Sequence, residues 1–124
     1  YELRPLGVDV SIVQPGPFAT ELVHKIYQPS NHLVTSEYGV SAQLMGDYFE
    51  NYGKLMSDPN FPNKPQDVAD AILNLVELPQ GKRPLRVVVD KMMGETAETL
   101  NEVSSKIQAS VLQNFGLNQL NINN

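Results

Sequence analysis

The residues best suited to chemistry lie in one short segment, where Pro15-Gly16-Pro17 ends an apolar run and Thr20 follows shortly after. The two prolines have a fixed φ and no N–H, and the glycine between them can adopt a positive φ or lie directly against a ligand. The Thr20 hydroxyl can cap a helix or face a phosphate group, and the two roles are compatible because both place it at a helix start. The segment therefore predicts a ligand site built from a main-chain turn and one hydroxyl group.

The turn follows a predicted strand at residues 8–14, whose β-branched side chains are closely spaced. Such a run is typical of a parallel strand that is covered on both faces. A second run of this type, LRVVV, covers residues 85–89. Because open α/β sheets bind ligands outside the carboxyl ends of their strands, we expect the site at the turn after Gln14.

Helical patterns surround the two strands. Residues 1–6 are typical of a helix end, stopped by Pro5 and Gly7. The remaining predicted elements, in chain order, are a helix from Glu21, a loop at residues 28–35, a helix from about Ser36, an irregular segment at residues 53–64, a helix from Pro65, and a last helix capped by Thr96 or Thr99 and ended by Gly116.

Composition narrows the possible partners and locations. Asp and Glu number 14 against 9 Lys and Arg, a formal net charge of -5, which disfavours nucleic acid and anionic membranes as partners. The chain has no cysteine, and no apolar run approaches the roughly 18 residues that span a bilayer. We therefore expect a cytoplasmic protein. Its first residues, which lack a Met, read like the tail of a helix already under way, so we expect a fragment of a longer protein.

Other polar residues have simpler explanations than catalysis. His24 and His32 lack acidic partners at ligand spacing, so we predict no metal site; a surface role is favoured for both, and use as general bases is the lesser alternative. The carboxylates of Glu95, Glu98 and Glu102 follow helical spacing and indicate a solvated face. The Lys82-Arg83 pair fits a loop charge pair or a subunit contact.

The two predicted strands leave a problem of hydrogen bonding. A strand covered on both faces also needs partners along its edges, because backbone groups cannot stay unpaired in a dry interior. Those partners must come from residues outside this chain or from other copies of it. We accordingly expect a homo-oligomer.

The run YELRPLGVDVSIVQPGPFATEL, residues 1–22, resembles the segment of short-chain dehydrogenases/reductases that follows their active-site helix. That segment contains the end of the helix, the sixth strand of the Rossmann sheet and a Pro-Gly-x-x-x-Thr turn that holds the nicotinamide. Residues 20–63 resemble the substrate-binding lid, residues 65–78 the next helix and residues 85–90 the last strand.

The resemblance implies an α/β fold, the C-terminal part of a Rossmann-type doubly wound parallel sheet, with two strands plus helices in this chain. Residues 1–124 would form the C-terminal half of one domain, with residues 21–64 as the lid, and the N-terminal cofactor-binding half would be absent.

The resemblance also implies cofactor contacts. Pro15 and Gly16 would shape the turn against the nicotinamide ring, and Phe18 would offer its main-chain N–H and C=O to the carboxamide. Thr20 would hydrogen-bond the carboxamide or the pyrophosphate. The cofactor would be NAD or NADP, because the residues that choose between them lie upstream in the family. The implied substrate-lid residues are Leu22, Val23, Tyr27, Tyr48 and Tyr52. A wider set, which fits either a helix core or an apolar substrate pocket, adds Tyr38, Met45, Phe49 and Met56.

The implied parent activity is hydride transfer between NAD(P) and a small-molecule alcohol/carbonyl pair. The catalytic Ser, Tyr and Lys of the family lie upstream of Tyr1, which is not itself the catalytic tyrosine because the Tyr-x-x-x-Lys pattern would need lysine where Pro5 stands. We therefore expect no catalytic residue in this chain. The alternative is a non-catalytic module that self-associates or binds partners through its strand edges. A hydrolase is disfavoured because the sequence lacks a Gly-x-Ser-x-Gly elbow.

Overall fold

The computed structural model describes residues 1–22, 25–26 and 29–121, and within them the chain is a mixed α/β structure with a two-stranded parallel sheet and four α-helices. It divides into two compact units. The first unit comprises Tyr1–Pro17 and Asn63–Asn124, and the second comprises Phe18–Pro62. All but the last two residues of the predicted lid, residues 21–64, belong to the second unit.

The sheet of the first unit confirms the prediction of two parallel strands. Strand β1 is Ile12–Pro15 and strand β2 is Arg86–Val89, and their register pairs Ile12 with Arg86 and Pro15 with Val89. The register brings the carboxyl ends of both strands to the same edge of the sheet. The segment between the strands contains a helix of the same unit, α3 at Pro65–Glu77, which contacts both of them.

Strand β1 begins four residues later than predicted, because the preceding segment is held in other ways. The Val8 N–H bonds to Leu3 O at 3.3 Å, in a turn that contains a short 3-10 segment, Arg4–Leu6. The Asp9 carboxylate is 5% exposed and forms ion pairs with Arg4 at 3.1 Å and Arg83 at 3.2 Å. Residues 8–11 therefore approach the sheet without joining its hydrogen-bonded ladder.

Helix α3, Pro65–Glu77, begins at the proline as predicted, where the missing N–H needs no partner. Asp67 Oδ2 accepts the Lys64 N–H at 2.9 Å in its first turn. At the other end Arg83 donates to Leu75 O at 2.7 Å and to Val76 O at 3.1 Å. The predicted loop charge Arg83 thus caps the carbonyls of α3 and also pairs with Asp9.

Helix α4, Gly94–Asn114, packs against β2 and ends as predicted before Gly116, which has a φ of 69°. The predicted threonine cap is wrong. The helix starts before both candidate threonines, and the Thr99 hydroxyl donates to Glu95 O at 2.9 Å inside the helix. Gly94 is buried, and a Cβ built there would lie in ordinary van der Waals contact with Val88 Cγ1, at 3.4 Å.

The second unit contains helices α1, His32–Glu37, and α2, Val40–Met56. The predicted loop at residues 28–35 is wrong from residue 32 onward. Asn31 Oδ1 accepts the N–H groups of Leu33 at 3.2 Å and Val34 at 3.3 Å, which caps α1. The single predicted helix from about Ser36 is also interrupted, because Gly39 adopts a φ of 51° between the two helices.

In the described part of the predicted helix from Glu21, no α-helix is present. Residues 21–22 form a turn, Lys25 has 3-10 conformation, and its N–H bonds to Leu22 O at 3.0 Å and to Glu21 O at 3.2 Å. Across residues 1–22, 25–26 and 29–121, no helix combines the length and the apolar character needed to cross a membrane.

Candidate functional site

The Pro15-Gly16-Pro17 turn continues directly from the sheet. Pro15 is the last residue of β1 and lies opposite Val89, the last residue of β2. The Gly16 N–H donates to Val89 O at 3.0 Å, which extends the ladder by one bond beyond β1. The turn therefore occupies the carboxyl edge of two parallel strands, the place where the sequence predicts the ligand site.

Gly16 is required at this turn for close packing. Its φ is not in the left-handed region, so the glycine is not needed for a positive φ. A Cβ built on Gly16 would instead lie 2.6 Å from Asp90 Cβ, far inside van der Waals contact. The group that closely approaches Gly16 is thus the first side chain after β2.

Asn63 joins the turn to the end of β2. Its side-chain amide donates to Pro17 O and to Asp90 Oδ1, both at 2.9 Å, and its Oδ1 accepts the Lys91 N–H at 2.7 Å. Asn63 is 1% exposed, which makes it the buried polar residue of this part of the molecule. The four residues form what we call the Asn63 clasp: Asn63, Pro17, Asp90 and Lys91.

Hydrogen bonds stabilise the charged form of two carboxylates in or near the clasp, those of Asp90 and Asp67. The Asn63 amide, together with the main-chain N–H groups of Met92 and Met93, holds the pKa of Asp90 below its usual range, against the opposing effect of desolvation. The Lys91 ammonium pairs with Asp67 at 2.6 Å, and this bond with the Lys64 N–H lowers the pKa of Asp67. Both carboxylates are therefore ionised at neutral pH, and the Lys91 ammonium balances the charge of Asp67.

The other two predicted cofactor-contacting residues, Phe18 and Thr20, belong to the second unit. Thr20 is exposed, and its hydroxyl oxygen accepts the Leu22 N–H at 3.4 Å. This is the local contact expected of a capping threonine, although no helix follows in the described residues. Phe18 is half-buried. The structure therefore brings Pro15 and Gly16 together at the sheet edge and places Thr20 on an exposed turn of its own unit.

The second unit, which contains most of the predicted lid, has an apolar groove. The groove has a volume of about 780 Å³ and lies between helices α1 and α2 and the segment before them. Three members of the wider predicted set, Tyr38, Met45 and Phe49, line it together with Ile26 and Val34. Its wall is predominantly apolar, so it suits an apolar ligand group or an apolar partner surface.

The described members of the predicted substrate-lid set, Leu22, Tyr48 and Tyr52, lie elsewhere on this unit. Among the described residues that line the groove, neither Tyr48 nor Tyr52 occurs; these two rings stack on each other with centroids 6.1 Å apart. Leu22 is 70% exposed. Val23 and Tyr27 lie outside the described residues.

Sequence reasoning missed two residues of the site, Asn63 and Asp90. Asn63 was expected in an irregular segment rich in proline and asparagine, and nothing in its local pattern distinguishes it from its exposed neighbour Asn60. Asp90 did carry a signal, since it is a polar residue directly after a buried strand and the carboxyl ends of parallel strands meet at one edge. The three glutamates Glu95, Glu98 and Glu102 are exposed on α4, as predicted.

Within residues 1–22, 25–26 and 29–121, no group of three His, Asp or Glu side chains is arranged to hold a metal ion. His32 is the exposed first residue of α1, and His24 lies outside the described residues. The described site thus consists of a main-chain turn, an amide and a carboxylate at a sheet edge of the first unit, and the apolar groove belongs to the second unit. No protein-family model, curated protein or solved structure matches the chain.

Proposed function

We propose that this chain supplies the nicotinamide-contacting turn and the substrate lid of an NAD(P)-dependent short-chain dehydrogenase/reductase, which interconverts an alcohol and a carbonyl by hydride transfer. The observation that carries the proposal is the register of the sheet. The pairing of Pro15 with Val89 places the Pro-Gly-Pro turn at the carboxyl edge of two parallel strands, where α/β sheets bind dinucleotides.

The turn offers main-chain groups rather than catalytic side chains. Because the Gly16 N–H is already bonded to Val89 O, recognition of the nicotinamide carboxamide falls to the main chain of Phe18 and to the hydroxyl of Thr20. Groups that the fold already holds in place lose little entropy when a cofactor docks. The chain's role is thus to orient the nicotinamide, and the chemistry of hydride transfer belongs to the cofactor.

The proposal places the general acid/base outside these 124 residues, since no tyrosine in the sequence is followed by lysine four positions later. The chain alone is therefore expected to be inactive. Exposed apolar surface supports a larger assembly: Leu100, Val103 and Ile107 follow helical spacing on α4 and are 68%, 51% and 60% exposed. An apolar stripe of this kind is ordinarily covered by further protein.

The test is a titration of the protein that carries this chain with NADH and NADPH, followed by nicotinamide fluorescence. We expect one dinucleotide to bind, and Thr20→Val to weaken its binding roughly threefold to tenfold, the effect of one hydrogen bond of about 1 kcal/mol. Thr20→Ser keeps the hydroxyl and should bind like the parent. Thr96→Val, on the exposed start of α4, is the matched control. An affinity that Thr20→Val leaves unchanged, or no dinucleotide binding at all, contradicts the proposal.

The open edges of the sheet favour a second candidate, a non-catalytic module that self-associates through an extended sheet. In the described residues β1 and β2 pair only with each other, so each has one edge available for another strand. Light scattering over a hundredfold range of concentration tests this candidate. A mass that rises with concentration, without dinucleotide binding, favours it; a constant mass of one chain rules it out.

A further inference from the structure

The chain leaves the first unit after Pro17 and returns to it at Asn63, and these two residues lie next to each other in that unit. They are hydrogen-bonded to each other, from Asn63 Nδ2 to Pro17 O at 2.9 Å. The ends of the whole 18–62 segment are therefore fixed next to each other. Since both residues belong to the first unit, this closure is a feature of that unit's own structure.

The hydrogen bond from Asn63 to Pro17 O matters for the turn because the turn has few hydrogen-bond donors of its own. Pro15 and Pro17 have no N–H, so Gly16 supplies the turn's one main-chain donor, and that donor is bonded to Val89 O. Beyond that bond the turn can be held only through its carbonyl oxygens by a donor from elsewhere. The Asn63 amide is that donor for Pro17.

The orientation of the Asn63 side chain is determined by its surroundings. Its Nδ2 faces two acceptors, Pro17 O and Asp90 Oδ1, and its Oδ1 faces the Lys91 N–H. A flipped amide would lose all three bonds in a place that is 1% exposed, where each unpaired polar group costs about 1–3 kcal/mol. Asp90 is itself fixed, because its Oδ1 also accepts the Met92 N–H at 2.9 Å.

We propose that Asn63 is a positioning residue, which fixes the Pro15-Gly16-Pro17 turn to the end of β2 and closes the 18–62 segment at its base. Opening the Asn63 clasp frees the turn while the sheet and helices stay folded. Any ligand that the turn holds then binds more weakly; for a dinucleotide, that consequence rests on the proposed function.

An exchange of the two side chains separates positioning from stability. In the double variant Asn63→Asp/Asp90→Asn, the new carboxylate accepts from the Lys91 N–H and from the new amide, whose nitrogen takes the place of Asp90 Oδ1 and leaves the exposed Met92 N–H to solvent. Every polar group of the clasp then has a partner except Pro17 O, which loses its donor and faces a carboxylate. The single variant Asp90→Asn keeps the bond from Asn63 to Pro17 and serves as the matched control. Asn60→Asp, at an exposed asparagine of the same segment, controls for the added charge.

The readout is hydrogen exchange at the Gly16 amide, measured by NMR on the protein that carries this chain. In the double variant we expect exchange at Gly16 to be about tenfold faster, which corresponds to loss of roughly one hydrogen bond, while α3 amides and the melting temperature stay close to the parent. Both controls should exchange like the parent at Gly16. Parental exchange at Gly16 in the double variant overturns the proposal, as does an equal acceleration in α3.

A second variant covers the case in which the double variant does not fold. In Asn63→Asp alone, the new carboxylate faces the Asp90 carboxylate, and the Lys91 ammonium is engaged by Asp67. Two carboxylates at this distance share a proton as the pH falls, which relieves their repulsion but leaves Pro17 O without a donor. Protection of the Gly16 amide should therefore be low at pH 7 and stay low towards pH 5. Parental protection at either pH overturns the proposal.

NADH and NADPH titrations of the same variants distinguish the two proposals. If the parent binds neither dinucleotide, the proposed function fails, and the exchange at Gly16 still decides the role of Asn63. If the parent binds one of them, the double variant should bind it several-fold more weakly.

Discussion

The Cα of Gly16 lies so close to the Asp90 side chain that a Cβ added to Gly16 would stand 2.6 Å from Asp90 Cβ. Two residues far apart in the sequence therefore share a space that holds only one side chain. This contact joins the turn after β1 to the residue after β2, and it gives the glycine a structural role that does not depend on any bound ligand.

Gly16→Ala is expected to lower the free energy of unfolding by roughly 1–3 kcal/mol, because the methyl group must displace the Asp90 side chain or the turn itself. The control is Gly46→Ala in α2, where no atom lies within 4 Å of the new Cβ. There, alanine should raise the free energy of unfolding by about 0.5–1 kcal/mol through its helix propensity. Urea unfolding measures both, and equal effects at the two glycines would contradict the close packing.

Asp9→Ala should lower the free energy of unfolding by about 1.5–3 kcal/mol, because the carboxylate is buried and pairs with Arg4 and Arg83. It also accepts the Gly81 N–H at 2.6 Å, so the loop after α3 should loosen with it. Asp70→Ala, at an exposed position of α3, provides the comparison and should change the free energy of unfolding by under about 0.5 kcal/mol. Thermal unfolding of both variants checks this, and an Asp9→Ala variant as stable as Asp70→Ala would show that the ion pairs contribute little.

The pH dependence of stability should report on Asp90, whose pKa is held below its ordinary value of 3.8. The unfolded chain therefore binds a proton at a higher pH than the folded chain does, and stability falls as the pH decreases through the folded pKa. The contribution of this carboxylate is fully present above pH 3.8 and is lost below it. Asp90→Asn should reduce the loss of stability between about pH 5 and pH 2, whereas Asp47→Asn on α2 should not. Urea titrations at a series of pH values provide the test, and a slope unchanged by Asp90→Asn would refute the assignment.

Helix α1 should depend on its asparagine cap, since it has only six residues and short helices are marginal in isolation. Asn31→Ala removes the acceptor for the Leu33 and Val34 N–H groups, at a cost of about 1 kcal/mol. Faster hydrogen exchange across α1 is the expected result. Asn31→Asp keeps the cap and should restore protection, and Asn51→Ala in α2 should leave α1 unaffected. Unchanged exchange in Asn31→Ala would mean that packing alone holds this helix.

The local sequence pattern correctly predicted those elements that depend only on residues close together in the chain. The β-branched run before Asp90 gives a strand, and Pro65 starts α3, because the ring fixes φ and its missing N–H needs no partner at a helix start. Gly116 ends α4 for a similarly local reason, since its φ is positive. Parallel pairing also follows from the pattern, because strands of this composition are covered on both faces.

Tertiary contacts decided the elements whose local signals were ambiguous. Residues 8–11 have the composition of a strand, yet the burial of Asp9 between two arginines keeps them out of the ladder. Helix α4 starts at buried Gly94, before both Thr96 and Thr99, and packs on β2. At residues 8–11 a long-range contact is thus stronger than a local preference of about 1 kcal/mol.

The sequence by itself determined that a Pro-Gly-Pro turn with few donors ends a strand, because the lack of donors belongs to the residue types alone. Only the tertiary structure decided what holds the turn. Asn63 and Asp90 are separated from it by dozens of residues, and a hydrogen bond to Pro17 O depends on where those residues lie in space. Burial made the difference, since Asn63 and Asn60 are the same residue type in one segment, and only the one that is shielded from water must satisfy its amide within the protein.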